Sequence, residues 1–504
     1  MAGIRREPVA SVDSAWLRMD EPGNLMVVNG VLVLSEPVPF ERYHDMVASR
    51  LAGLPRLRQR IVKSGTTSGP LVWEPDPHFD LTYHVRPAPL ERSDQASLQN
   101  LVGRLMGDPF DPRRPLWQFH FVPRYEDGCA VICRMHHCFG DGLALLHVLL
   151  MLTDDPPADL ANAPSVPEPA ARASAGLLKR SLSPLFSFTR TVEESVVHEV
   201  KEIISRPARA LDVTRDLSIG AGAAGKLLLM SSDPHTVFKG PLTDEKRAVW
   251  SQPIAIDTLK EIARVTGSKV NDVVLAAVAG GLRRYLLWRE QPVDGVAVRA
   301  VVPVNLRPIE QAAELGNRFG LVFVPLPLGI EDPLDRIFAV RNRTQEIKRS
   351  PEALLTFQIL RMLGVTPSPF FETVVSMFGR RATAVMTNVI GPRERLRMAG
   401  TTLKQVIFWV PCSGRLGMGV SIFSYAGSLW VGIATDGSLV PDPQVIIDGF
   451  EREVSELMEL ARQVRPEPPD VRQPATAEAT PASTEPSRAP AQPPRTAEVA
   501  EVLD

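Results

Sequence analysis

Cysteine is scarce: four in 504 residues cannot build a disulfide framework, which fits a reducing cytoplasm and leaves the Asn342-Arg343-Thr344 sequon idle. Charge of one sign is missing as well. With 56 Lys and Arg against 58 Asp and Glu, the formal net charge is -2, so no basic field supports a DNA or RNA partner through counterion release. Long apolar runs are absent. The densest, Leu143 to Leu152, falls far short of the roughly 20 residues a bilayer crossing needs. The N-terminal MAGIRREPVASVDSAW has no apolar signal-peptide core. The chain is therefore expected in the cytoplasm, neither spanning a membrane nor exported by the Sec route. Walker A, Gly-x-Gly-x-x-Gly at a strand–helix junction, His-Glu-x-x-His and EF-hand patterns are all missing, so no nucleotide, flavin or metal cofactor is expected. A Gly-x-Ser-x-Gly elbow is absent too, which argues against a serine nucleophile.

What remains is an ordinary globular composition, 44 % hydrophobic and 23 % charged, enough for a sizeable core. Its 46 prolines are unevenly placed. Nine fall in Pro466 to Asp504, where no aromatic residue occurs and only Val471, Val499, Val502 and Leu503 are aliphatic. Such a stretch cannot bury enough apolar surface to offset chain entropy, so 465–504 is expected to be a disordered tail. Five more prolines mark Asp155 to Ala170 as a linker. Beyond it, Val192, Val196, Val200, Ile203 and Ile204 recur at helical spacing up to Pro207, the pattern of an amphipathic bridging helix. The plan is two foldable blocks, 1–154 and 240–464, joined by a bridge at 155–239. In both blocks short β-rich runs (Leu25 to Leu34, Ala130 to His136, Ala297 to Val304, Leu321 to Leu326, Ala384 to Val389, Gly417 to Phe423, Ser428 to Thr435) are separated by helical patterns. Those patterns are Glu41 to Leu51, Gln95 to Met106, Gly142 to Leu152, Asn271 to Arg289, Pro333 to Lys348 and Pro443 to Val464. The alternation predicts an α/β fold of sheets covered by helices.

The densest chemistry is Cys133-Arg134-Met135-His136-His137-Cys138-Phe139-Gly140-Asp141-Gly142, at the end of a predicted strand and the start of a helix. A zinc reading needs Cys129 and Cys133 together, yet on a strand rising about 3.4 Å per residue they stand about 13 Å apart. Ligands of one zinc ion lie about 2.0–2.3 Å from it, so those sulfurs cannot share one, and no metal is expected. The same separation excludes a disulfide between them. Strand alternation sets His136 on the face of Ala130, Ile132 and Arg134, and His137 on the opposite face with Val131, Cys133 and Met135. The two histidines then have different duties. Adjacent strand histidines are commonly structural, but the turn that follows favours chemistry. Phe139-Gly140-Asp141-Gly142 can fold back and set a carboxylate near the ring, although Asp141 also suits the N-cap of the next helix. That helix is apolar on nearly every side, hence buried, and it fixes the turn on which a general base would be mounted.

His136-His137-x-x-x-Asp141-Gly142 resembles the HHxxxDG motif of chloramphenicol-acetyltransferase-like acyltransferases. Within that superfamily the chain is similar to the bacterial wax ester synthase/diacylglycerol acyltransferase family. The similarity runs through SVDSAWLRMD at 11–20, LPRLRQR at 54–60, FDLTYHV at 79–85, PLW at 115–117, NDVVLAAVAGGLRRYL at 271–286, PVNLRP at 303–308, GNRFG at 316–320 and TNVIGP at 387–392. The DFGWG-type motif of condensation domains is absent. The resemblance implies two chloramphenicol-acetyltransferase-like subdomains, each a mixed sheet flanked by helices, with an active-site channel between them. It implies His137 as general base beside His136, and a structural Asp141 followed by Gly142. Arg58 is either the partner of Asp141 or a solvated arginine. Asn271 either orients the site, donates to the reacting carbonyl or is a plain N-cap, with Asp272 complementing the helix dipole. Trp117 either positions the site and its acyl channel or belongs to the core. Asn317 and Arg318 also stand in family positions.

The activity implied is acyl-CoA-dependent O-acyl transfer: a long-chain acyl group moves from CoA to diacylglycerol, a fatty alcohol or both, with acyl-CoA a substrate and no cofactor. Two alternatives stand beside it, a carrier-protein-dependent condensation-type acyltransferase and a non-catalytic lipid-binding homologue. Substrates of this class partition into membranes, so peripheral association with the inner membrane face or lipid inclusions is expected. Leu177, Leu178, Leu182, Leu185, Phe186 and Phe188, set among Lys179, Arg180 and Arg190, either insert there or form a strap across the two domains.

Overall fold

A computed structural model describes residues 6–50, 54–65, 69–140, 142–155, 230–305, 319–348, 356, 359, 368–412 and 415–463. The bridging helix, the 177–190 stretch, the linker past Asp155, the tail, Asp141, Asn317 and Arg318 lie outside the described residues. In chain order the first half holds β1 (Glu7–Pro8), α1 (Ser11–Met19), β2 (Val27–Leu34), α2 (Phe40–Arg50), β3 (Gln59–Lys63), β4 (Leu71–Pro75), α3 (Leu81–His84), β5 (Val85–Pro87), α4 (Gln95–Met106), β6 (Trp117–Tyr125), β7 (Gly128–His136) and α5 (Gly142–Met151). The second half holds β8 (Lys246–Trp250), β9 (Ile254–Ala255), α6 (Ile256–Thr266), α7 (Val270–Trp288), β10 (Ala297–Asn305), β11 (Phe319–Pro327), α8 (Pro333–Lys348), α9 (Ser368–Arg381), β12 (Ala384–Ile390), β13 (Arg397–Met398), β14 (Thr401–Trp409), β15 (Met418–Tyr425), β16 (Ser428–Asp436) and α10 (Gln444–Gln463). Each strand and helix run expected in the two blocks is present within about two residues of its expected bounds.

Two large sheets carry the molecule. The first has the order β13-β14-β2-β7-β6-β5, and the second the order β11-β10-β12-β15-β16-β8 with β9 pairing β16. Both are mixed: β5 runs parallel to β6, and β12 runs parallel to β10 and β15, while the remaining pairs are antiparallel. A smaller sheet, β1-β4-β3, flanks the first. The strands are rich in Val and Ile and apolar on both faces, as strands covered on both sides must be.

The division into sheets does not follow the division of the sequence into 1–154 and 240–464. β13 and β14 leave the second half and complete the first sheet, where Phe408 pairs with Gly30 and Val406 with Leu32. The physical reason is burial. Leu403, Val406, Ile407 and Trp409 are buried between the two sheets, in one core with Val31 and Trp117 of the first and Trp250 and Phe423 of the second. The two halves are therefore laced together through a shared core.

Candidate active site

β7 delivers the motif and ends at His136, which pairs with Val27 of β2. The sequence reading carried the strand through His137, and here the structure corrects it. His137–Phe139 form one 3-10 turn, in which the Gly140 N–H donates to the His137 carbonyl at 3.3 Å. The direction of the His137 ring is thus set by the turn and not by strand alternation. The His137 N–H still donates to the Met26 carbonyl at 2.8 Å, which pins the turn to the start of β2.

The two rings sit in different surroundings. His136 Nδ1 accepts the Cys138 N–H at 3.1 Å, so the neutral ring carries its proton on Nε2. Nε2 is buried without a hydrogen-bond partner among the described residues, 3.8 Å from Asp20 Oδ1. Burial, and after it the neighbouring His137, lowers the His136 pKa to about 3. At neutral pH His136 is a fixed neutral ring that holds the turn as an acceptor rather than exchanging protons. His137 is also buried; its ring stacks on Trp16 of α1 with centroids 4.2 Å apart and planes at 22°, and Phe319 flanks it at 5.9 Å. A base in such a setting is shielded from bulk water.

Asp20, the C-cap residue of α1, escaped the sequence reading. Its Oδ1 accepts the Met26 N–H at 2.6 Å, and burial raises its pKa against the opposing effect of that bond. One carboxylate therefore ties the end of α1 to the Met26 backbone that holds His137, and stands 3.8 Å from the His136 ring. Its signal in the sequence was only an acid at the end of SVDSAWLRMD.

The remaining candidates divide. Arg58 is exposed, with its guanidinium over the Phe79 ring at 5.2 Å. From the same LPRLRQR run it is Arg56 that approaches the turn: it pairs with Glu7 at 2.7 Å and lies over Trp73, whose ring packs on Phe139 at 5.3 Å. Burial, then Asp13 and Asp20, raise the Cys138 thiol pKa, and the Arg56 charge opposes them. Trp117 belongs to the core: its Nε1 donates to the Leu57 carbonyl at 2.7 Å and its ring stacks on His84 at 4.4 Å. Asn271 is not the cap of α7, since Lys269 holds that position and Asp272 accepts the Lys269 N–H at 3.1 Å. Instead the buried Asn271 Oδ1 accepts Asn388 Nδ2 of β12 at 3.0 Å, so the NDVV and TNVIGP runs meet in space. Gly142 opens α5.

Beside these elements lies an apolar cavity of about 740 Å³, its open mouth included. Its floor is β2, β7 and β14 of the first sheet, its roof is α5, and Val389 and Phe423 of the second sheet close its far wall. Met135, in the lining, stands two residues before His137, and Val389 follows Asn388. No group of three or more His, Cys, Asp or Glu side chains placed to hold a metal occurs among the described residues.

Comparison with known proteins agrees with this arrangement. Residues 9–274 match the wax ester synthase/diacylglycerol acyltransferase catalytic domain, and residues 315–458 match the C-terminal domain of the same family. A Mycobacterium tuberculosis relative named probable diacylglycerol O-acyltransferase Tgs1 is 25% identical over 464 residues, covering 90% of this chain and 96% of the relative. The fold is shared with the wax ester synthase/diacylglycerol acyltransferase from Marinobacter aquaeolei, at a TM-score of 0.62 and 19% identity over 90% of this chain and 100% of that one. It is also shared with the first condensation domain of the calcium-dependent antibiotic synthetase, at a TM-score of 0.54 and 14% identity over 91% and 96% of the two chains. With its motif turn buried against α1 and both family domains matched in order, the chain belongs to the wax ester synthase/diacylglycerol acyltransferase family of O-acyltransferases.

Proposed function

We propose that the chain transfers a long-chain acyl group from CoA to the hydroxyl of diacylglycerol, a fatty alcohol or both, with His137 as general base. The observation that carries this reading is the buried His137 turn at the end of β7, whose preceding residues Cys133 and Met135 line the apolar cavity. As the acceptor oxygen attacks the thioester carbonyl, His137 takes its proton. The C–S bond then breaks and the proton passes to the departing CoA sulfur, so the step balances without a covalent acyl-enzyme, a metal or a cofactor. Burying an alkyl chain contributes about 0.8 kcal/mol per methylene, which favours long-chain donors over acetyl. Both acceptors partition into lipid, so the proposal includes peripheral contact with the inner membrane face or a lipid inclusion. No helix among the described residues is long and apolar enough to cross a membrane.

Purified protein given palmitoyl-CoA with either diacylglycerol or a fatty alcohol should yield neutral lipid and free thiol together, and the product identifies the acceptor. Neither product from either acceptor would overturn the proposal. Wild-type rates from His137→Ala would remove the base from it.

A further inference from the structure

Gly30 sits in the middle of β2, a strand otherwise built of Val, Leu and Asn. Nothing in the backbone requires a glycine there. Its φ is outside the left-handed region, and a Cβ added to it would meet only ordinary contacts: the Ile407 carbonyl oxygen at 3.5 Å, Phe408 Cβ at 3.8 Å and Cys133 Cβ at 3.9 Å. A glycine inside a strand weakens it, by about 0.5–1 kcal/mol relative to Ala in regular structure, and commonly marks the close approach of a ligand. The cost is not offset by any close packing of a neighbour onto the Cα.

What the glycine does leave is space. In β2 every residue is buried except Gly30, and in β7 every residue is buried except Cys133, its direct cross-strand partner. On the other side Gly30 pairs with Phe408, which is likewise partly open among buried neighbours in β14. Cys133, Gly30 and Phe408 form one row across the sheet, and all three line the cavity beneath Leu145, Leu146 and Leu149 of α5. The hollow exists because the middle of that row has no side chain and one flank has only a thiol.

We infer that Gly30 is a specificity-determining residue, whose missing side chain sets the depth to which the donor's acyl chain enters between the first sheet and α5. This rests on the acyl-transfer reading above and deepens it. Any β-branched residue at position 30 would fill the hollow from its floor, shortening the accepted chain without touching the His137 turn.

The experiment compares kcat/KM for palmitoyl-CoA and octanoyl-CoA in wild type, Gly30→Ala, Gly30→Val and Cys133→Leu. Each methylene kept out of the cavity should cost about fourfold, so three methylenes displaced by Val lower palmitoyl-CoA efficiency roughly 50-fold. The loss should appear mainly in KM, because chain burial is ground-state binding. Octanoyl-CoA efficiency should change little, Gly30→Ala should be intermediate, and Cys133→Leu should act in the same direction. Melting temperature should hold or rise in Gly30→Val, since a vacant site is being filled with a good strand former. An active Gly30→Val with the wild-type ratio of the two donors would overturn this inference alone. A wild type that forms no neutral lipid from either donor would overturn it together with the acyl-transfer reading.

Discussion

At the residue scale, two adjacent histidines sit in different surroundings, and the proposed function makes His137 the base and His136 a brace. His137→Ala should fold normally and lose turnover by about 10²–10⁴-fold, the usual contribution of a general base. His136→Ala should instead lower stability by about 1–3 kcal/mol, because the buried Cys138 N–H loses its acceptor. Urea denaturation and steady-state rates on the two variants distinguish these outcomes; the reverse pattern would exchange the roles. Asp20 belongs to the same scale. Asp20→Ala frees the Met26 segment that holds the His137 N–H, and displacing a catalytic group by about 1 Å can cost about 10²-fold in rate. The loss should fall on kcat with KM nearly unchanged, and Asp20→Asn, whose amide oxygen can still accept the Met26 N–H, should recover part of it. No recovery would mean that the carboxylate charge, rather than the hydrogen bond, is what matters.

Among the elements, α7 and β12 are linked by the hydrogen bond between Asn271 and Asn388. Asn388→Ala leaves the buried Asn271 amide unpaired, a cost of about 1–3 kcal/mol, whereas the partly exposed Asn388 can turn to water; a double-mutant cycle with Asn271→Ala and Asn388→Ala should show coupling of about 0.5 kcal/mol or more. Strict additivity would show that the two side chains are independent. Both runs are legible as motifs in the sequence but cannot be paired from it, because α7 and β12 are brought together only by the packing of the second sheet. Asn271 also reads as a possible cap, for the sound local reason that Asn favours helix starts; the bond between its buried amide and Asn388 is the stronger competitor. The strand reading of β7 was accurate through His136 and failed one residue later, where a local 3-10 bond replaced the ladder.

For the whole molecule, Lys246 of β8 ties the second sheet to the turn after α1: its Nζ donates to Asp436 at 2.8 Å and to the Gly23 carbonyl at 2.5 Å. Gly23 takes φ +80° there and lies so close to Thr243 that a Cβ would come within 2.9 Å of its carbonyl oxygen. Lys246→Met leaves the Asp436 carboxylate buried with fewer partners and should cost about 3–5 kcal/mol in urea denaturation. Acid should weaken the fold as well. Burial holds His136 at about 3 and both His84 and His120 at about 4, against about 6.5 unfolded, so the unfolded chain binds more protons below pH 6.5. Stability should therefore fall as pH drops from about 6.5 toward 4, with Asp20 and Asp233, whose pKa values burial raises, working the other way at the acid end. A flat urea midpoint from pH 7 to 5 would contradict this. The sequence by itself determined the local elements of the two blocks, the place of the motif at the end of β7 and the family, because periodicity, turn residues and motif spacing are properties of short stretches of chain. Only the tertiary structure decided that β14 crosses into the first sheet, that Arg56 rather than Arg58 approaches the turn, and that Gly30 opens a cavity. Each of these depends on which distant surfaces bury one another, and burial is settled between elements rather than within them.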